Sequence, residues 1–383
     1  MKIVYVYSTL AKTGGTERMI TEKMSYLAEQ LGYDVTIINL FQRIEDTNHY
    51  LMSKKVKQVN LGIPYFSQYH YKYPKRMWIK WQLNKQIKNS IKQYVQEIDP
   101  DILICASFFE ANHISKVKCK AKKIIECHEA KTYTHSDYDH KRSFISRIYQ
   151  KIWKFFYFRT VERNADIIIT LTKDDKMLWK GAKHIVVIPN FSTMPITRYS
   201  DCTAKRVIAV GRLQWEKGYD RLLEIWKVVV SKHPDWQLDI FGEGRQKDEL
   251  NNLIKREAIR NVTIHGTTLD ISKEYADSSI CAVTSHFEGF SLVLLEAMKH
   301  GLPCVAFDCP FGPRSIINDA SNGFLVEDGD TILFAERLCQ LIEDEQLRKQ
   351  FSKAAIEKSL LFDPDSIMNQ WNNIFEQTLL NLN

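Results

Sequence analysis

With 383 residues the chain has room for two domains of ordinary size, and 44% apolar with 26% charged residues is a globular composition that excludes disordered, collagen-like and coiled-coil classes. A formal charge of +7 is modest at this length, and without a strongly basic domain or an RNA-type motif no nucleic-acid partner is expected. The longest apolar runs fall well short of the about 18 residues that span a membrane, and residues 3–7 are too short for a leader, so the expected location is the cytoplasm.

The first predicted unit is a strand over 2–7, a loop containing Thr13-Gly14-Gly15-Thr16, and a helix over 17–31 with Met19, Ile20, Met24, Leu27, Ala28 and Leu31 on its apolar stripe. Gly32 closes the helix, and 34–40 is the next strand. Strand, glycine turn, helix, strand opens a doubly wound parallel sheet, and the turn lies at the carboxyl end of the first strand, where ligands bind in such sheets. The turn is neither a Gly-x-Gly-x-x-Gly fingerprint nor a Walker A loop, which sets a dehydrogenase aside. Two stretches of this half mix cations with aromatics. Residues 71–94 hold Lys85, Lys88 and Lys92 among Trp78, Trp81 and Tyr94; residues 141–163 hold Arg142, Arg147, Lys151 and Lys154 among Phe144, Tyr149, Trp153, Phe155 and Phe156. Helices of this kind suit an anionic membrane surface; the bland alternative is that the aromatics pack on the sheet and the lysines are solvated.

Further strands are expected over 102–106, 123–126, 166–171 and 184–188, and 191–204, without a clear period, is the expected linker. A second alternation follows: strands over 205–210, 236–241, 262–265, 280–284 and 303–307, helices over 219–231 and 245–258, a helix ending near Gly301, and helices after Pro313 and Thr331. Two such repeats imply two Rossmann-like domains facing across a cleft, bounded as 1–195 and 196–365. The tail reads as a helix with Ile367, Trp371, Ile374, Phe375 and Leu379 at helical spacing. Eight cysteines without a Cys-x-x-Cys pair read as buried free thiols, and eleven histidines lack metal-type spacing, so no metal is expected.

Chemistry concentrates in the second half. Arg212 and Lys217 leave a glycine-flanked loop at the end of a strand and ahead of a helix, a natural clamp for a diphosphate, although solvated basic residues would look the same. After the strand over 280–284, Glu288 sits beside Gly289, Ser291 is a candidate N-cap, and Glu296 falls on the second turn of the helix. A wholly helical path between the two acids would span about 12 Å, similar to the separation of two hydroxyl-rich groups joined by a diphosphate. Such a pair can hold a sugar and a ribose, or be a surface acid and an exposed helix residue.

The Gly-Arg-Leu-x-x-x-Lys-Gly-x-Asp turn at 211–220, Phe241-Gly242-Glu243-Gly244, the Glu288 and Glu296 pair, and Asn322-Gly323-Phe324-Leu325-Val326 together resemble glycosyltransferase family 4, and Gly14-Gly15 agrees with its N-terminal loop. The resemblance implies a GT-B fold, a nucleotide-sugar donor (a uridine-diphosphate sugar) held by the C-terminal domain, no required metal or cofactor, and retention of anomeric configuration. The helix over 366–383 would pack back on the N-terminal domain. It places Arg212 and Lys217 on the donor diphosphate, Glu288 on hydroxyls of the transferred sugar and Glu296 on the ribose. Gly242 belongs to the donor-side strand end, Gly289, Phe290 and Ser291 would offer backbone amides, and Gly14 and Gly15 would let backbone approach the diphosphate or the acceptor. His128, after the strand over 123–126, resembles the family histidine facing sugar and phosphate; a lone histidine after a strand is more often structural. The expected activity is a hexosyltransferase of surface polysaccharide synthesis acting on a glycan or lipid-linked acceptor, with contact to an anionic membrane. A nucleotide-sugar epimerase of the same fold is the alternative, and the phosphate clamp argues against a glycosidase using both glutamates.

Overall fold

The computed structural model describes residues 1–131 and 144–380, and within 144–150 only the side chain of Ile148. Of the second basic-aromatic stretch, Arg142 lies outside the described residues, as do the side chains of Phe144, Arg147 and Tyr149. The chain divides into two compact units, Met1–Ile188 with Met368–Asn383, and Pro189–Ile367.

In the first unit β1 (Lys2–Tyr7), α1 (Gly15–Glu29), β2 (Asp34–Asn39) and β3 (Lys57–Asn60) precede α2 (Lys75–Ile98), β4 (Ile102–Cys105), α3 (Phe108–Ile114) and β5 (Lys122–Cys127). Then come α4 (Phe144–Asn164), β6 (Ile167–Thr170), α5 (Lys173–Lys176) and β7 (Ile185–Val187). The strands form one parallel sheet in the order β3-β2-β1-β4-β5-β6-β7, so chain direction across the sheet reverses between β1 and β4. Helices cover both faces, which is why β1, β4 and β6 are unbroken apolar runs rather than alternating ones. β3 was not anticipated: it is an edge strand, and its Lys57-Gln58-Val59-Asn60 sequence carries the polarity that edges tolerate. Along α2 the buried residues are Leu83, Ile87, Ile91 and Val95, one stripe at four-residue spacing. Phe158 of α4 is buried in the core and Tyr94 and Tyr157 pack against it, but the other described aromatics of these helices lie outside the buried face. Trp78 and Trp81 are 57% and 59% exposed, and Trp153, Phe155 and Phe156 on α4 are exposed too, so they do not pack on the sheet. Among the described residues no helix is long and apolar enough to cross a membrane.

The second unit runs β8 (Arg206–Val210), α6 (Tyr219–Lys232), β9 (Gln237–Phe241), α7 (Lys247–Arg256), β10 (Val262–Gly266), α8 (Ile271–Ala276) and β11 (Ile280–Val283). It continues with α9 (Leu292–Lys299), β12 (Cys304–Phe307), β13 (Gly323–Val326), α10 (Thr331–Glu343) and α11 (Glu345–Ser359). Its parallel sheet has the order β10-β9-β8-β11-β12-β13, with the reversal between β8 and β11. The core packs α6 and α10 on this sheet through Leu222, Trp226, Phe334 and Leu338. The helix expected after Pro313 is only a 3-10 turn, Pro313–Ser315. Asn322 ends it, accepting from the Asn318 amide at 2.8 Å and donating to the Ile316 carbonyl at 3.2 Å. Residues 191–204, expected as a linker, instead pack into the second unit: Phe191 is buried, Lys299 Nζ donates to the Ser192 carbonyl at 2.6 Å, and Ser272 Oγ to that of Pro195 at 2.9 Å. The last helix, α12 (Pro364–Leu380), belongs to the first unit from Met368 onward, where Lys23 Nζ lies 4.0 Å from the centroid of the Trp371 ring. All eight cysteines are free, and seven are buried.

Candidate functional site

In a doubly wound sheet the loops at the carboxyl ends of the two strands flanking the reversal part to opposite faces and leave room for a ligand. In the second unit those are the loops after β8 and β11. The chain leaves β8 through Gly211 at φ +152° and enters α6 through Gly218 at φ +61°. A Cβ on Gly218 would overlap the Thr284 carbonyl after β11, and Thr284 Oγ1 returns a hydrogen bond to the Gly218 carbonyl at 2.9 Å. Trp215 stacks flat on His286, centroids 4.1 Å apart and planes at 7°. The loop after β9 braces the same turn: Leu213 donates to the Glu243 carbonyl at 2.9 Å, and a Cβ on Gly242 would overlap the Gly211 carbonyl. Gly242 is therefore a packing requirement for the Arg212 loop.

Within this frame Lys217 Nζ meets Glu288 Oε1 at 2.7 Å, and Ser285 Oγ donates to the same oxygen at 2.7 Å. The two side chains are 21% and 10% exposed, so the pair is partly accessible to solvent. The segment 310–313 wraps Glu288: it bridges to Phe311, and a Cβ on Gly312 would lie 2.7 Å from the Glu288 Cβ. Arg314, which follows, makes a two-pronged contact with Asp308 at 2.8 and 2.7 Å. Around the pair, Tyr219 Oη, His286 Nε2 and Ser291 Oγ are buried and have no hydrogen-bond partner among the described residues. Burial, and then the Glu288 charge, raise the Tyr219 hydroxyl pKa; burial, and then Arg221, lower that of His286.

Each expected donor-side residue can now be placed. Arg212 is exposed and makes no ion pair among the described residues. Gly289 is half-buried, and Phe290 is buried against Phe362 with ring centroids 5.6 Å apart. Ser291 does occupy the N-cap of α9, but its hydroxyl makes no capping bond. Glu296 is on the second turn and buried rather than exposed, with the Tyr275 hydroxyl donating to Oε2 at 3.4 Å. Sequence reasoning gave Lys217 and Glu288 separate partners; the structure brings them into contact. It also missed Ser285, Tyr219 and Arg221, whose Nη2 donates to the Thr284 carbonyl at 2.5 Å. Arg221 lies four residues after Lys217 and next to the glycine turn, the one signal that marked it.

In the first unit His128 directly follows β5. Glu126, two residues earlier, projects from the same side of the chain, and its Oε1 lies 2.9 Å from His128 Nε2. Lys23 of α1 closes on the same carboxylate oxygen, with side chains 2% and 0% exposed. Burial alone would raise the Glu126 carboxyl pKa, but Lys23 and then His128 overcome it and bring it to about 2. Burial lowers that of Lys23, with Glu126 opposing. Gly14 is the extended N-cap of α1 and Gly15 its first residue, two residues earlier than expected, so Gly15 contributes one of the first-turn amides that have no intrahelical acceptor. Glu110 was not anticipated: it is buried, accepts from Ser8 and Ser107, and has its pKa raised by burial.

Two doubly wound parallel sheets, each with ligand-type loops at its reversal, are the elements of the GT-B fold, and solved structures share that fold. Sucrose-phosphate synthase from Thermosynechococcus elongatus matches with a TM-score of 0.82 and 16% identity over 100% of both chains. TarM of S. aureus, solved with UDP and alpha-GlcNAc-glycerol, matches with a TM-score of 0.79 and 18% identity over 98% of this chain and 99% of that one. Residues 13–191 match the family described as Glycosyltransferase Family 4, and residues 200–358 the family described as Glycosyl transferases group 1. Amylovoran biosynthesis glycosyltransferase AmsD of Erwinia amylovora is 30% identical over 391 residues, 97% of this chain and 99% of that protein. The chain belongs to glycosyltransferase family 4 and is a transferase enzyme.

Proposed function

We propose that this enzyme moves a hexose or N-acetylhexosamine from a uridine-diphosphate sugar to a glycan or lipid-linked glycan acceptor in surface polysaccharide synthesis, with retention at the anomeric carbon. The observation that carries the reading is the Lys217–Glu288 pair, accessible at the sheet reversal and ringed by unpartnered polar atoms. In the free protein each charge neutralises the other. A nucleotide sugar replaces both halves: its diphosphate takes Lys217 together with Arg212, and its sugar hydroxyls take the released Glu288 carboxylate, which accepts two protons at once. Glu296 takes the ribose hydroxyls in place of Tyr275, and the amides of Gly289, Phe290 and Ser291 serve sugar and phosphate. The second unit is thus the donor domain and the first the acceptor domain. The names of AmsD and of the UDP complex of TarM support the polysaccharide setting and the nucleotide.

The reaction is a front-face displacement. The C1–O bond to the diphosphate loosens, positive charge develops on the sugar ring, and the acceptor hydroxyl attacks from the side the diphosphate leaves, passing its proton to the departing phosphate oxygen. Arg212 and Lys217 meet the negative charge that grows there, so they act chiefly in the transition state. No protein nucleophile is required, and Glu288 positions the sugar. A panel of nucleotide sugars, read by thermal shift and by nucleotide release with acceptor extract, tests this. One donor should stabilise the protein and release nucleotide only with acceptor, and Glu288→Gln should keep the shift while slowing release by about 100-fold. Conversion of the donor into another nucleotide sugar without any acceptor would favour the epimerase, and no shift with any donor would end the proposal.

A further inference from the structure

The first unit encloses a cavity of about 1100 Å³ between α2, α3 and α4 that the donor chemistry leaves unused. Its wall combines two chemistries. Trp81, Trp153 and Tyr157 supply aromatic surface, and Lys85, Lys88 and Lys116 supply positive charge. Among the described residues none of these three lysines pairs with a carboxylate; Lys116 Nζ donates to the neutral Asn112 Oδ1 at 2.7 Å. Burial, and then the like charge of Lys88, lower the Lys116 pKa, so the two ammonium groups work against each other across the wall. Like charges gathered beside aromatic walls are unfavourable until an anion bridges them.

Two further features of the cavity point the same way. At the mouth, Trp81 and Trp153 are each more than half exposed, and Trp78, Phe155 and Phe156 continue the exposed aromatic surface along the same two helices. Scattered exposed aromatics need no explanation, but a set on both helices that line one cavity, interleaved with lysines, is the composition of a surface that lies at an anionic lipid interface. The same cavity reaches Ser107, after β4, and Glu129, the residue next to His128. An occupant therefore runs from an aromatic, cationic mouth to the strand ends where acceptor chemistry takes place in the function proposed above.

We infer that this cavity holds a phosphate-linked lipid acceptor, with the phosphate on Lys88 and Lys116, the apolar chain on Trp81, Trp153 and Tyr157, and the sugar-bearing end toward Glu129. The inference rests on the transferase reading and adds the chemical class of its acceptor. Binding to the full chain is measured calorimetrically with farnesyl diphosphate, inorganic diphosphate and farnesol, and UDP binding is measured in parallel. Farnesyl diphosphate should bind about tenfold or more tighter than either fragment, because only it engages both the cations and the aromatics. Lys88→Gln with Lys116→Gln should weaken farnesyl diphosphate by about tenfold or more and leave UDP unchanged. Trp153→Ala, at an exposed position that does not endanger folding, should weaken farnesyl diphosphate but not inorganic diphosphate. Equal affinity for inorganic diphosphate would reduce the cavity to a plain anion site, and equal affinity for farnesol to a plain apolar one. Either result, or indifference to the lysine substitutions, overturns the inference while UDP binding keeps the transferase reading intact. Failure of UDP binding alone would instead strike that reading.

Discussion

The two units each set a lysine and a glutamate against one another at the carboxyl end of a parallel sheet, and the two pairs differ in access to solvent. Lys23 and Glu126 are sealed, at 2% and 0% exposure, with His128 and the Trp371 ring completing the enclosure. Lys217 and Glu288 are partly open, at 21% and 10%. A sealed pair cannot exchange partners without leaving a charge uncompensated in low dielectric, so it fixes the position of whatever it touches, here His128. An open pair can release both halves to a ligand that carries an anion and hydroxyls. The same two residue types thus hold the geometry in one unit and serve as a latch in the other.

This contrast can be broken by substitution, and the effects should follow exposure. Lys23→Met leaves Glu126 buried with only His128 and should cost about 3–5 kcal/mol in urea denaturation; a loss under about 1 kcal/mol would mean the sealed pair is not what holds β5 to α1. Acid should act on the same group. The Glu126 carboxyl has an ordinary value near 4.5 unfolded and about 2 folded, so the folded state binds fewer protons between these values. Its contribution is full above about pH 4.5 and is lost as pH falls toward 2. Stability measured across that window should fall for the native protein and fall less for Lys23→Met. At the partly open pair, Lys217→Ala leaves Glu288 with Ser285 and water, and should cost about 1 kcal/mol. The exposed pair Lys57–Asp34, at 66% and 41%, sets the floor: Lys57→Ala should change stability by about 0.5 kcal/mol or less.

Much of the architecture was legible in the sequence because buried parallel strands such as Ile167–Thr170 are unbroken apolar runs and glycine turns punctuate them. β3 was hidden by its polar edge composition, and the turn at Pro313 was mistaken for a helix because the side chain of an asparagine 9 residues later holds the backbone after it, at Ile316 and Asn318, through bonds that composition does not display. The sealed pair had left a trace: Glu126 interrupts an apolar strand, and Lys23 lies inside the apolar stripe of α1, two charges that each demand a partner. The open pair had left none. Lys217 and Glu288 are 71 residues apart, and only the adjacency of β8 and β11 in the sheet brings their loops together. Burial of Glu296 was equally invisible, since it depends on Tyr275 from α8.

The central claim is that Lys217 leaves Glu288 to meet charge on a departing diphosphate. Donor affinity and turnover number, measured side by side for the native enzyme, Lys217→Ala and Arg212→Ala, test it most directly. Turnover should fall by about 100-fold or more in each variant while donor affinity weakens by no more than about tenfold. Equal losses in affinity and turnover would show that these cations bind the donor without assisting its departure, and would contradict the account.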